Sequence, residues 1–291
     1  MSGVKALLVF CEGSHDVVFV QQVLKICLDF NKVKWKFSEH PAPFNALFKA
    51  SVKNHAADDL SLDMAHKFFL PDSVLQKDDW VILLFNSGGS SKTVKVKELL
   101  SKFLTLYNSS FPEGAKSIVT QAKYLFLYDA DSIGTAAWFN KIKLDFAAID
   151  DEPAWFFDTL TVLPDNPFGA IANDKAAYIW GGNELSGTLE DILLPMFEAN
   201  QELLLKASGE FIDNAFKWEI EDANLEHKTA EISKRKKAII TCAGQRKKSG
   251  FSMNVILDQA KLINENTFKN NSNVKLFADF IGKFMIHKLS I

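Results

Sequence analysis

LLVFCEG, residues 7–13, carries five apolar or near-apolar residues straight into a glutamate and a glycine. A short continuous apolar run closed by a turn signal predicts a strand buried on both faces, as the strands of a parallel sheet are. The segment after it, HDVVFVQQVLKICLDF (15–30), repeats Val17, Val20, Leu24 and Cys27 at helical spacing. Strand, acid, glycine and helix in that order read as the opening unit of an α/β fold. The pattern returns at YLFLYDADS (124–132), where a second apolar strand ends in Asp129 and Asp131 and leads into the helical AAWFNKIKLDF (136–146).

Between and beyond these units the alternation continues. VKWKF (33–37) predicts a strand nearer an edge, residues 44–77 a mainly helical stretch, and WVILLF (80–85) a buried strand followed by NSGGSS and the helix KTVKVKELLSKFLTLY (92–107). DTLTVL (158–163) predicts a fifth strand, and YIWG (178–181) a short sixth or part of a loop. Strands alternating with helices imply a mostly parallel sheet covered on both sides, with functional groups beyond the C-terminal strand ends. Glu12, the Ser87–Ser91 turn and the Asp129–Asp131 pair all fall at such ends. From residue 196 onward the chain reads as helical, without a Pro/Gly/Ser linker. The expected organisation is an α/β core over 1–195 and a helical extension over 196–291 packed on the same domain.

The 291 residues include 24% charged side chains, and the net charge of −3 excludes a wholly basic surface. Contact with a polyanion therefore needs a local positive patch. Cys11, Cys27 and Cys242 form no CxxC pair, which argues against a disulfide framework or zinc knuckle and fits a reducing cytoplasm. No segment reaches the roughly 20 apolar residues of a membrane span. Ser87-Gly-Gly-Ser-Ser lacks the G-K-[ST] ending of a P-loop, and His66 with Asp59 and Asp63 reads as a wet helix face.

The acids can be read individually. Glu12-Gly13 with Asp16 suits a positive helix N-terminus. Asp129-Ala-Asp131, if extended, points two carboxylates the same way and offers a platform for Mg²⁺. In SGTLEDILL (186–194), Thr188 predicts a helix cap with Glu190 and Asp191 in the first turn. Taken together, E-G-x-x-D after the first strand, D-x-D after a later one and G-x-L-E-D beyond resemble the Toprim family. That catalytic domain is shared by bacterial-type primases, type IA and type II topoisomerases, ribosomal-RNA maturation nucleases and overcoming-lysogenization-defect nucleases. The strand–GGS–helix at 81–100 is similar to the middle of the nuclease-type domains. PDN (164–166) and GTLEDILL resemble stand-alone Toprim proteins, although here Trp180 follows the PDN run instead of preceding it. The resemblance spans about residues 4–195.

The resemblance implies a Toprim, Rossmann-like sheet and a Mg²⁺- or Mn²⁺-dependent nuclease, or related phosphoryl-transfer enzyme, acting on DNA or RNA. It places Glu12, Asp129 and Asp131 on the metal, Glu12 also as proton acceptor, and Asp16 and Glu190 on a second ion. Asp191 is the weaker ligand, since adjacent helical residues face about 100° apart. Nuclease-type relatives carry a lysine beyond the acids, for which Lys237 or its neighbour Lys236 fits best. KTAEISKRKKAIITCAGQRKKSG (228–250) places Lys234, Arg235, Lys236, Arg246, Lys247 and Lys248 in one stretch with the single acid Glu231. Such clustering suits sequence-independent contact with a nucleic-acid backbone. The competing expectation is a Toprim-fold binding module with weak or no catalysis. Since the chain has no Walker motif, ATP-driven work would then need a partner ATPase.

Overall fold

The computed structural model describes residues 2–53, 69–89, 92–109, 117–150, 152, 154–156, 159–220 and 224–287. Its centre is an eight-stranded mixed sheet. β1 (Ser2–Cys11) lies between β4 (Trp80–Asn86) and β5 (Ser117–Asp129) and is parallel to both, and β5 is parallel to β8 (Lys175–Trp180). On one side β3 (Ser73–Lys77) and β2 (Asn31–Val33) extend the sheet, β3 antiparallel to β4 and β2 antiparallel to β3. On the other, β7 (Asn166–Ala172) runs antiparallel to β8 and β6 (Thr161–Leu163) antiparallel to β7, giving the order β2-β3-β4-β1-β5-β8-β7-β6.

The two-residue period of β1 divides the core. Leu7, Val9 and Cys11 face one apolar cluster, while Ala6, Leu8 and Phe10 face the other, all fully buried. The second cluster is covered by α2 (Phe44–Lys53), α3 (Thr93–Tyr107) and α4 (Thr135–Asp145). The first is covered by α1 (Ser14–Ile26), the start of α5 (Glu190–Ala215), the end of α6 (Leu225–Gln245), α7 (Met253–Gln259), α8 (Glu265–Asn270) and α9 (Ser272–Ile286). Phe277 of α9 stacks edgewise on Trp180, ring centroids 4.6 Å apart, so C-terminal helices share the core of the sheet. The boundary expected after residue 195 falls inside α5, which contains Pro195 and leaves helical geometry at Gln201. Among the described residues no helix is long and apolar enough to cross a membrane.

Several local expectations need correction. The strand expected at 33–37 stops at Val33, and Phe37–Glu39 form a 3-10 turn. Within the stretch expected to be helical, residues 44–53 are helix, but Ser73–Lys77 pair antiparallel with β4. Residues 54–68, with Asp59, Asp63 and His66, lie outside the described residues. The sequence around 164–181 conceals a hairpin: β7 and β8 turn through Asn173-Asp174, with Asn173 at φ 47°. YIWG thus belongs to an interior strand. It carries a buried, all-apolar run after Lys175 and lacks the alternation that marks an edge.

Candidate functional site

The parallel strands end at one level. Cys11 stands opposite Asn86 on one side and Leu127 on the other, and Asp129 stands opposite Trp180. Glu12 therefore emerges beside the end of β5, where the Asp129 amide donates to Glu12 Oε2 at 3.2 Å. The backbone carbonyl of Glu12 in turn accepts from the Gly89 amide at 2.9 Å, which ties Gly89, beyond the end of β4, to it. Gly13 forms the N-cap of α1, and its amide donates to Asp16 Oδ2 at 2.7 Å. Asp16 is thereby folded back over the helix start toward Glu12.

The D-x-D segment is not extended. Asp131 adopts φ 48°, and its amide and carbonyl form a two-way bridge with Gly187, at 2.8 and 3.0 Å. This corrects the expectation that Asp129 and Asp131 point alike because they are two apart on a strand. The two residues beyond Gly187 are pinned as well. Leu189 donates its amide to Asp129 Oδ1 at 2.8 Å, and Thr188 donates its amide to Asp191 Oδ2 at 2.9 Å. The Thr188 hydroxyl is buried with no hydrogen-bond partner among the described residues, so it is not the cap that the sequence suggested. Glu190 and Asp191 do occupy the first turn of α5.

Glu190 is 1% exposed. Its Oε1 faces Lys237 Nζ at 3.9 Å, while its Oε2 is buried without a hydrogen-bond partner among the described residues. The preceding lysine on α6, Lys236, makes an ion pair with Asp191 Oδ1. The sequence left Lys236 and Lys237 as alternatives; the fold aims Lys237 at the acids and Lys236 at Asp191.

Burial and charge act together on these groups. Burial first, then the negative charge of Glu12, raise the Asp16 carboxyl to about 7, with Glu190 adding and Lys237 opposing. Burial and the charges of Asp16, Glu190 and Glu12 hold Asp129 well above the ordinary carboxylate range. Asp131 is raised to about 6 by burial and Glu12, with smaller contributions from Glu190 and Glu226 against Lys237. Burial alone would lower the Lys237 ammonium, but Glu190, Asp129, Asp16 and Glu12 outweigh it and leave it above its usual value. His15, in the first turn of α1, is held down at about 4 by burial and by the charge of Lys237. It is neutral at pH 7. All five candidate metal ligands and Lys237 thus share one neighbourhood. Among the described residues, no three His, Cys, Asp or Glu side chains converge closely enough to hold a metal ion as they stand. Asp16 and Asp129 each commit one oxygen to a backbone amide.

The basic stretch lies on α6 and the turn after it, and much of its charge is spent within the chain. Lys234 pairs with Glu231 at 2.7 Å, and Arg235 grips Asp213 through two bonds of 2.6 and 2.5 Å. Lys236 is held by Asp191. Arg246 and Lys247 are exposed, Lys248 lies over the Phe251 ring at 5.8 Å, and none of the three makes an ion pair among the described residues. Acids distant in sequence, Asp191 and Asp213, supply the counter-charge that the stretch itself lacks.

Sequence reasoning overlooked the turn from Gly181 to Gly187, which seats the acids. A Cβ on Gly187 would stand 2.3 Å from the Gly182 amide nitrogen and 2.9 Å from Asp191 Oδ2. The glycines at 181, 182 and 187 were a signal of such close approach. No family model matches the chain, and no curated protein matches it. Among solved structures, the crystal structure of a hypothetical protein from Pyrococcus horikoshii OT3 aligns over 97% of this chain and 96% of its own, at 14% identity and a TM-score of 0.48.

Proposed function

We propose that the chain is a Toprim-type, divalent-metal-dependent nuclease or related phosphoryl-transfer enzyme acting on nucleic acid. The observation that supports it most directly is the gathering of Glu12, Asp16, Asp129, Asp131 and Glu190 around Lys237 at the C-terminal edge of the parallel strands. Five carboxyl groups against one ammonium is an arrangement that burial and mutual repulsion penalise unless protons or a cation join it. The donors are hard carboxylate oxygens, the type Mg²⁺ and Mn²⁺ take. Glu190 Oε2, buried and without a partner among the described residues, is an acceptor in want of a cation. The donor chemistry therefore suits a divalent ion, which would be held by Glu12, Asp129 and Asp131, with Asp16 and Glu190 for a second, once these side chains draw closer than they stand.

Bound there, a divalent ion would neutralise the scissile phosphate and lower the pKa of a water. The remaining chemistry belongs to the chain. Glu12, on the rim between β1 and β5, would accept the proton of the attacking water. Lys237 presents its ammonium to the charge that builds on the phosphate oxygens as the P–O bond to the leaving group breaks. Neutral His15 beside Lys237 adds a ring nitrogen at the same rim without adding charge. Exposed Arg246 and Lys247, with Lys248, offer backbone contacts to the polyanion at one remove.

The test is cleavage of labelled DNA and RNA, single- and double-stranded, with Mg²⁺, Mn²⁺ or EDTA, run beside Asp129→Asn. Metal-dependent cutting that disappears in the variant supports the proposal and names the substrate. Binding without cutting, alike in both proteins, transfers the reading to a Toprim-fold binding module that works with a partner ATPase.

A further inference from the structure

Asp191 stands where three parts of the site meet. Its Oδ2 accepts the Thr188 amide at 2.9 Å, and its Oδ1 pairs with Lys236. Its carboxylate also closes over the glycine turn: a Cβ on Gly187 would stand 2.9 Å from Asp191 Oδ2, and one on Gly182 would stand 3.3 Å from its Cγ. Gly187 is the residue bridged to Asp131 in both directions. Asp191 thus ties the turn that seats Asp131 to helix α6.

On α6 the next residue is Lys237, whose side chain is 40% exposed and whose Nζ is 3.9 Å from Glu190. A lysine held by one long contact can swing over several ångströms on its four-carbon stem. Lys236 and Asp191 are more enclosed, at 19% and 23% side-chain exposure, and their contact is the close one. Two successive lysines on one helix thus meet two successive acids on another, and the tighter pair sets the distance for the looser. We propose that Asp191 and Lys236 are positioning residues: their ion pair docks α6 on the start of α5 and so holds Lys237 over the acid cluster. This rests on the reading of that cluster as the phosphoryl-transfer site. Neither residue need touch substrate or metal.

The test combines Asp191→Asn and Lys236→Met, singly and each with Lys237→Ala, in the full chain. Asp191→Asn keeps an oxygen for the Thr188 amide, and Lys236→Met leaves the Thr188–Asp191 bond intact, so one variant covers for a folding defect in the other. Each single change is expected to lower kcat of metal-dependent cleavage by roughly 10- to 100-fold, the range seen for supporting residues, with KM nearly unchanged. In the Lys237→Ala background the same changes should cost almost nothing further, since what they position has gone. Full additivity in that background, or an unchanged kcat in a folded variant, overturns the inference. A second readout does not need activity. With the lysines ¹³C-labelled at Cε, the nuclear Overhauser contact between the Lys237 Cε protons and the Glu190 side chain, whose charged atoms lie 3.9 Å apart in the parent, should weaken in Asp191→Asn and in Lys236→Met. An unchanged contact in a folded variant overturns the inference. Absence of any cleavage by the parent defeats the functional reading alone, and the Overhauser contact still decides this one.

Discussion

Lys237 Nζ lies 3.9 Å from Glu190 Oε1, and the two groups differ sharply in burial: Glu190 is 2% exposed along its side chain and Lys237 is 40%. A carboxylate sealed into the α5 start therefore depends on a cation that reaches it from the solvent side, on a different helix. Its other oxygen has no hydrogen-bond partner among the described residues. Burying a charge in this way is costly unless it is paired, so Glu190 is a point where the fold gives up stability for a local excess of negative charge.

Lys237→Met removes that cation while keeping most of the stem. Complete loss of a buried pair costs more, but the exposure of Lys237 reduces the expected stability loss to about 1–2 kcal/mol in metal-free buffer. On the proposed function added Mg²⁺ should restore most of it, since the ion would replace the missing positive charge. Cleavage should fall by ~10²–10³-fold, as for loss of one group that stabilises transition-state charge. Urea melts with and without Mg²⁺ check the first part. Equal stability of parent and variant in EDTA would show that the pair carries no load.

The acids also set a pH dependence. Asp16 is raised to about 7 and Asp131 to about 6, and Asp129 lies well above its usual range. Each therefore keeps its proton in the folded chain at pH values where the unfolded chain has lost it. The stabilisation from this source is complete below about pH 4 and disappears as pH rises through about 6 to 7. Melting temperature without metal should fall across that window. On the proposed function Mg²⁺ would take the deprotonated set, so its stabilising effect should grow over the same range and flatten or reverse the slope. Calorimetric scans at a series of pH values, in EDTA and in Mg²⁺, measure both. A metal-free melting temperature that climbs steadily from pH 5 to 7 would contradict the assignment.

Lys123 makes a different prediction. It is fully buried on β5, and its ammonium donates to the carbonyls of Phe284 and His287 at 2.6 and 2.7 Å, above the Phe284 ring. It closes the C-terminal end of α9, where carbonyls lack helical partners and a positive charge is favourable. Lys123→Met should cost about 1.5–3 kcal/mol, as for loss of hydrogen bonds to a charged group. Amides in the last turns of α9 should exchange faster with solvent, while cleavage kinetics stay at the parent level. Unchanged exchange there would mean that packing of Phe280 and Phe284 alone holds the helix.

How far the sequence already disclosed this arrangement differs from part to part. The central strands β1, β4 and β5 were legible because each carries an unbroken apolar run, at 6–11, 80–85 and 124–128, which burial on both faces demands. β7 was not, since Asn166-Pro167 at its start reads as a turn and Gly169 as a breaker. That glycine is present because a Cβ there would stand 2.5 Å from the Phe280 ring, a contact made by a helix far later in the chain. The acids Glu12, Asp129 and Asp131 were legible from their place at strand ends. Glu190 was legible only through a family pattern, because an acid in a first helical turn usually serves the helix dipole. The α6 bases misled for an electrostatic reason. Local charge counting saw one acid in the stretch, whereas Arg235 and Lys236 find theirs in Asp213 and Asp191 on α5.

Gly187 offers the sharpest test of the turn that seats the acids. Its φ of 128° is one that L-residues rarely adopt, and a Cβ would collide with the Gly182 nitrogen at 2.3 Å. Gly187→Ala should cost about 1–3 kcal/mol from backbone strain alone, with the collision adding to it. Gly250 provides the control: its φ is 76°, yet nothing lies within 4 Å of an added Cβ, so Gly250→Ala carries strain without collision. Both variants should melt earlier than the parent. Only Gly187→Ala should also lose metal-dependent cleavage, because moving the turn breaks the two-way bridge to Asp131 and pushes Asp191 away from Lys236. If the two variants lose stability and activity in the same proportion, the turn is a structural closure and the placement of Asp131 does not depend on it.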